Sequence, residues 1–189
     1  MVEPITLTLV GSTVLAEGIK FLYGQAGELL KVWRERKKGE VSATAETIQI
    51  PIMASPDIFD GTIAPLSANL ERIEPLATTM RELWNRLSAY AQGIDDVETS
   101  NNELVTTADL LRRQLETVYG QRITFKGEPR ERSGTLLVVG TADIERIAGV
   151  AAGVIAGTIE KGEVRGSVHA IDVESGGEAA GVKVDRIGG

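Results

Sequence analysis

His169 is the only histidine in the chain, and there is no cysteine, so no thiol nucleophile or cysteine metal site is available and imidazole chemistry would fall to His169 alone. General acid–base work, a triad or a zinc site each needs partner groups at the same place. None stands at useful spacing from His169, which reads as a surface or core histidine in a strand. Asp57 and Asp60, with Phe59 between them, lack the dense oxygen spacing of a calcium loop and read as a turn. Asp95, Asp96 and Glu98 form a charged loop rather than a defined acid–base pair. In Gly176-Gly-Glu-Ala-Ala-Gly181-Val-Lys183 two glycines have the separation of a phosphate loop, but Val182 displaces the lysine and no Ser or Thr follows. No Gly-x-Gly-x-x-Gly lies between a strand and a helix. The expectation is therefore no catalytic residue, no cofactor and no metal. An enzyme whose carboxylates are assembled from distant segments is the alternative that spacing alone leaves open.

Composition narrows the partners. Aromatic residues make up 4% of the 189 residues and hydrophobic residues 42%, so the core must be aliphatic, which suits helix packing better than stacking on bases. A net charge of -7 opposes general attraction to nucleic acid, whose phosphates require neutralising Lys and Arg. Absence of cysteine fits a cytoplasmic protein. The first residues lack the basic-then-apolar pattern of a secretory signal, and no apolar run reaches the roughly 18 residues of a membrane span.

The elements that would carry any function begin with an apolar N-terminal helix (residues 1–38), running from about Pro4 to Arg36. Leu7, Val10, Val14, Phe21, Leu29 and Trp33 recur at helical spacing, and Leu9, Leu15, Ile19, Leu22 and Leu30 broaden the stripe. A helix apolar almost all round is deeply buried, joins copies of the chain, or lies in lipid. Trp33 with Lys31, Arg34 and Arg36 has the make-up of an interfacial anchor, so membrane attachment through residues 4–38 is a second alternative. Glu17 and Lys20 interrupt the stripe and oppose insertion.

Residues 39–65 read as a connector with one extended piece, Glu46 to Ile52, punctuated by Gly39, Pro51, Pro56, Gly61 and Pro65. Residues 66–120 read as an antiparallel helical hairpin. Leu66, Leu70, Ile73, Ala77, Met80, Trp84, Leu87 and Ala91 form a coiled-coil-like heptad seam that Pro75 should kink and Gly93 should stop. Ser100 and Glu103 have the form of a capping box before Leu104, Ala108, Leu111, Leu115 and Val118, with Gly120 as the stop.

Residues 121–189 read as a small α/β region. A β-hairpin is expected from 121–126 and 135–139 around a charged turn, then a helix over 142–159 capped by Thr141, then a terminal β-hairpin. In the expected helix Gly149, Gly153 and Gly157 are four apart, a glycine zipper that packs within one subunit, between subunits, or in a bilayer. If the glycines instead mark turns between short strands, that packing argument dissolves. The glycine-rich terminal strands hold register weakly and are open to pairing with another chain.

The fold class expected is α+β, mainly α. The arrangement of apolar N-terminal helix, helical hairpin and glycine-rich β tail resembles adaptor proteins of bacterial multicomponent systems, which implies an adaptor or structural subunit. Arg186-Ile-Gly-Gly189 is similar, over those residues alone, to the diglycine tail of ubiquitin-like modifiers. The function expected is non-catalytic: a homo-oligomer, with other protein subunits as further partners. Its interface residues would be Leu7, Val10, Val14, Phe21, Leu29, Trp33, Gly149, Gly153 and Gly157.

Overall fold

The computed structural model describes residues 5–39, 47–52, 54–147, 150–159, 163–173 and 178–187. The fold class is α+β, mainly α. The chain divides into two compact units, Met1–Gly134 and Thr135–Gly189. The N-terminal helix, the connector and the helical hairpin thus belong to one unit, and residues 121–134 join them.

Unit 1 is built on helix α1 (Ser12–Lys37), preceded by a 3-10 turn at Leu7–Leu9. Gly11 caps α1 in an extended conformation, and Pro4 lies outside the described residues. Leu15, Ile19, Leu22, Ala26 and Leu29 follow a four-three-four-three spacing and are buried along one side. Strand β1 (Thr47–Ile50) pairs antiparallel with β2 (Leu66–Asn69), Ile50 standing opposite Leu66. Residues 66–69 are therefore strand where heptad spacing predicts helix. Asn69 then caps helix α2 (Leu70–Ile73) by accepting from the amides of Glu71 and Arg72. Pro75 lacks an N–H for the α ladder, and the chain passes through a 3-10 turn (Glu74–Leu76) before α3 (Ala77–Ala91), which is the interruption expected there.

Helix α4 (Asn102–Tyr119) closes the hairpin. Its cap is Asn101, whose side chain accepts from the Leu104 amide at 3.0 Å, while the Ser100 hydroxyl donates to Glu98. The capping box expected of Ser100 and Glu103 is thus not formed: the cap falls one residue later, and Leu104 has no side-chain acceptor to return the bond. Gly120 ends the helix in the left-handed conformation, φ 65°. Asn101 donates to Tyr90 at the end of α3, and Arg72, just before α3, donates to the Thr117 carbonyl near the end of α4. The two helices therefore run antiparallel. Trp84 of α3 stacks on Tyr23 of α1, ring centroids 4.8 Å apart, and donates to the Tyr23 carbonyl.

Residues 121–126 do not form the expected hairpin strand. They cross the unit as an irregular segment bridged at Phe59 and Phe125. All three phenylalanines meet there: Phe21 is edge-on to Phe59 with centroids 5.0 Å apart, and Phe59 stacks on Phe125 at 5.7 Å. Gly18 makes room for the cluster, since a Cβ at that position would lie 3.0 Å from the Phe125 ring.

Unit 2 overturns the expected glycine helix. Among its described residues the elements are four strands, β3 (Leu137–Ile147), β4 (Val150–Ile159), β5 (Glu163–Val173) and β6 (Glu178–Ile187). Val138, Val139, Ile144, Ile147, Val150, Val154, Ile155 and Ile159 put β-branched residues throughout 137–159, where they fit a pleated strand better than a helix. Three helical glycines would have cost about 1 kcal/mol each. The terminal β-hairpin is overturned as well, because β5 and β6 do not pair with each other. β3 pairs with β5 and β4 with β6, both in parallel.

Candidate self-association site

Four of the residues expected at an interface lie inside a single copy. Leu7, Val10, Phe21 and Leu29 are buried in the core of unit 1. Their apolar surface is consumed by α3, α4 and the phenylalanine cluster, so they are core positions and not contact surface between copies. Val14 and Trp33 are part-buried and pack against the same core. Trp33 is also held by polar contacts: its indole donates to Glu74, and Lys37 lies over its ring and pairs with Glu74 at 3.1 Å. Those contacts hold the Glu74 carboxyl below the usual carboxylate range, with the indole hydrogen bond as the main cause and Lys37 next. The residues read as a membrane-edge anchor thus include a tryptophan tied down within the unit. No helix among the described residues is long and apolar enough to cross a membrane.

Folding does assemble distant carboxylates. Asp109, Arg112 and Glu116 stand at helical spacing on α4 and are all buried. Arg112 donates to Glu128 at 2.7 Å and also to Asp109, which pairs with Arg113 at 2.7 Å. Glu128 accepts further bonds from the Thr6 hydroxyl and the Phe125 amide. Glu116 accepts from the Ile123 amide and pairs with Arg122 and Arg130, each at 3.0 Å. Burial works to lower the Arg112 pKa, but the charges of Glu128, Asp109 and Glu116 outweigh it and the pKa lies above its ordinary value. These carboxylates are at most 3% exposed and paired with arginine, so the cluster fastens 121–134 onto α4. Spacing had not pointed to it. The signal available was a cluster of arginines and glutamates, Arg122, Glu128 and Arg130, directly after a helix whose Asp109, Arg112 and Glu116 stand three and four apart.

Of the expected interface glycines, Gly153 and Gly157 lie in β4, and Gly149 lies outside the described residues. A glycine-lined helix–helix contact is therefore not formed. His169 lies in β5 at the register position opposite Asp143. Gly176 and Gly177, at the start of the loop compared with a phosphate site, and the terminal Gly188 and Gly189 lie outside the described residues.

What unit 2 brings together is a repeat. Ala151-Ala-Gly-Val154 recurs as Ala179-Ala-Gly-Val182, and Val138, Gly140 and Thr141 have counterparts in Val164, Gly166 and Ser167. The registers match these repeats residue for residue: Ala151 pairs with Ala179, Ala152 with Ala180, Val154 with Val182, and Gly140 with Gly166. Each β3–β4 segment is thus one layer and β5–β6 the next, stacked in parallel. The internal repeat was legible in the sequence and was hidden by the four-residue spacing of the glycines.

Each sheet among the described residues has two strands, so every strand is hydrogen-bonded along one edge and leaves the other edge unpaired. Natural edges are usually blunted by proline or charge. All six prolines lie at or before Pro129, and β4 carries no charged residue in its ten positions. Such a segment, rich in β-branched residues and free of proline, is suited to pairing with a further strand. No family model, curated protein or solved structure matches this chain, so its reading rests on the two-layer repeat and its open edges.

Proposed function

We propose that this chain is a non-catalytic interaction protein that assembles with copies of itself, unit 1 serving as the folded body and unit 2 as the association module. The observation that carries this reading is the pair of stacked repeats with an unpaired edge on every strand. Two-stranded sheets are marginal alone, and stacked repeats gain stability with each neighbour added. A role as adaptor or structural subunit, and a cytoplasmic location, belong to the same reading. The use of the α1 stripe within unit 1 supports a protein contact over a lipid one.

Light scattering of the full chain from low to high micromolar, with and without detergent, tests it. The expected result is a mass above that of one chain, reached without detergent. A monodisperse monomer at high micromolar concentration rejects the proposal. A chain that gains mass only by joining micelles favours membrane attachment instead.

A further inference from the structure

Resting on that reading of unit 2, we propose that the occupant of its open edges is the same unit of a second copy, stacked head to tail, so that β3 and β4 of one copy pair in parallel with β5 and β6 of the next. The assembly that results is an open-ended cross-β filament rather than a closed oligomer.

The internal stack supplies the template. Whatever fits β5 onto β3 and β6 onto β4 within one chain is offered again, at the same registers, by the outer edges. An interface between two different surfaces of the same molecule does not close on itself unless a rotation closes it, and a translation of two layers per copy has none. Charge agrees with this. Arg146 stands opposite Asp172. Stacking a second copy repeats that pair at the junction, so signs alternate along that column of the filament. None of the paired positions in either register sets two charges of like sign together. Like charges directly opposite would be destabilising in a ladder. The small and apolar pairs, Ala151 with Ala179, Val154 with Val182 and Ile159 with Ile187, fall on like or nearly like residues, as in-register stacking favours.

The test uses the full chain and a charge exchange, Arg146→Glu with Asp172→Arg. Within one copy the exchanged pair is still of opposite sign, and so is the junction between two exchanged copies. A mixed junction, however, sets Arg on Arg or Glu on Asp. Each protein should therefore be seeded by its own sonicated assemblies, while cross-seeding should slow elongation by about tenfold or more. Fibre diffraction of the unmodified assembly should give a reflection near 4.8 Å along the fibre. Equal self- and cross-seeding overturns the register, leaving self-association in place. Closed oligomers without that reflection overturn the filament alone, and a persistent monomer overturns both this inference and the function it rests on. A second probe serves if the exchanged protein fails to fold. Ala179 is exposed and the chain has no native cysteine, so Ala179→Cys accepts a single spin label. Like labels in successive copies should lie about 10 Å apart, two strand spacings, and broaden the spectrum. A spectrum unbroadened in the assembled state overturns the stacking.

Discussion

Replacing Arg112 with methionine is expected to unfasten the buried ion cluster of unit 1. Methionine keeps much of the volume and the unbranched stem, so the change is chiefly one of charge. Arg112 is 1% exposed and holds both Glu128, 0% exposed, and Asp109, 3% exposed. Without it Asp109 keeps Arg113, and Glu128 keeps the Thr6 hydroxyl and the Phe125 amide. Breaking one side of a buried pair costs about 3–5 kcal/mol, most of it from the charge left behind. The retained donors put the expectation near the lower end, about 3 kcal/mol. Both tryptophans, Trp33 and Trp84, lie in unit 1, so urea unfolding followed by intrinsic fluorescence reports that unit. With a urea slope of about 2 kcal/mol/M the midpoint should fall by about 1.5 M. Adding Glu128→Gln to the Arg112→Met chain removes the orphaned charge and should recover much of the loss, while Arg112→Lys should not restore stability, because an ammonium cannot span two carboxylates as the guanidinium does. A loss below about 1 kcal/mol, the size seen for solvent-exposed pairs, or strict additivity of the Arg112 and Glu128 changes, would refute the clamp.

Two further expectations concern the same unit. The Tyr119 phenol is pushed above its ordinary pKa by burial and secondarily by the Glu28 charge, and it donates to Gln25 at 2.7 Å. The folded state therefore holds a proton that the unfolded state releases from about pH 10 upward, so this contribution is complete below pH 10 and declines as pH rises further. An absorbance titration should show one phenol ionising together with unfolding, and Tyr119→Phe should abolish that step; a phenol that ionises before fluorescence reports unfolding contradicts it. Gly134 has φ +83°, and a Cβ there would lie 2.2 Å from the Thr62 carbonyl oxygen. Gly134→Ala should cost at least about 2 kcal/mol, whereas Gly24→Ala, in helical conformation with nothing within 4 Å of the added carbon, should raise stability by up to about 1 kcal/mol. Equal midpoints for the two variants would contradict this difference.

The helical half was legible because one period dominated it. The positions read from α4, namely Leu104, Ala108, Leu111, Leu115 and Val118, are all buried. What spacing did not convey was that the opposite side of α4 is covered too. Asp109, Arg112 and Glu116 have the pattern of a solvated face, and only the return of 121–134 over them makes them interior. Leu66 illustrates a similar limit: it continues the heptad seam, yet Asn69 caps a helix that starts after it, and pairing with β1 claims the residues before. In unit 2 the conflict lay between two periods. Glycines four apart suit a helix, but the dense valine and isoleucine around them favour strands, and long-range pairing with a second copy of the motif decided between the two. The α1 stripe was identified correctly as apolar, while its destination, a core within one chain, depended on aromatic residues outside the helix, Phe59 and Phe125.

Two layers per chain also set a geometric limit on any stack built from unit 2. Each added copy would lengthen the stack by about 10 Å, twice the spacing of neighbouring strands. A unit of 134 residues has a radius of gyration of about 14 Å, hence a width of about 36 Å. Some four bodies would then compete for the height of one, and crowding among them, rather than any weakness of strand pairing, would limit how long the stack grows.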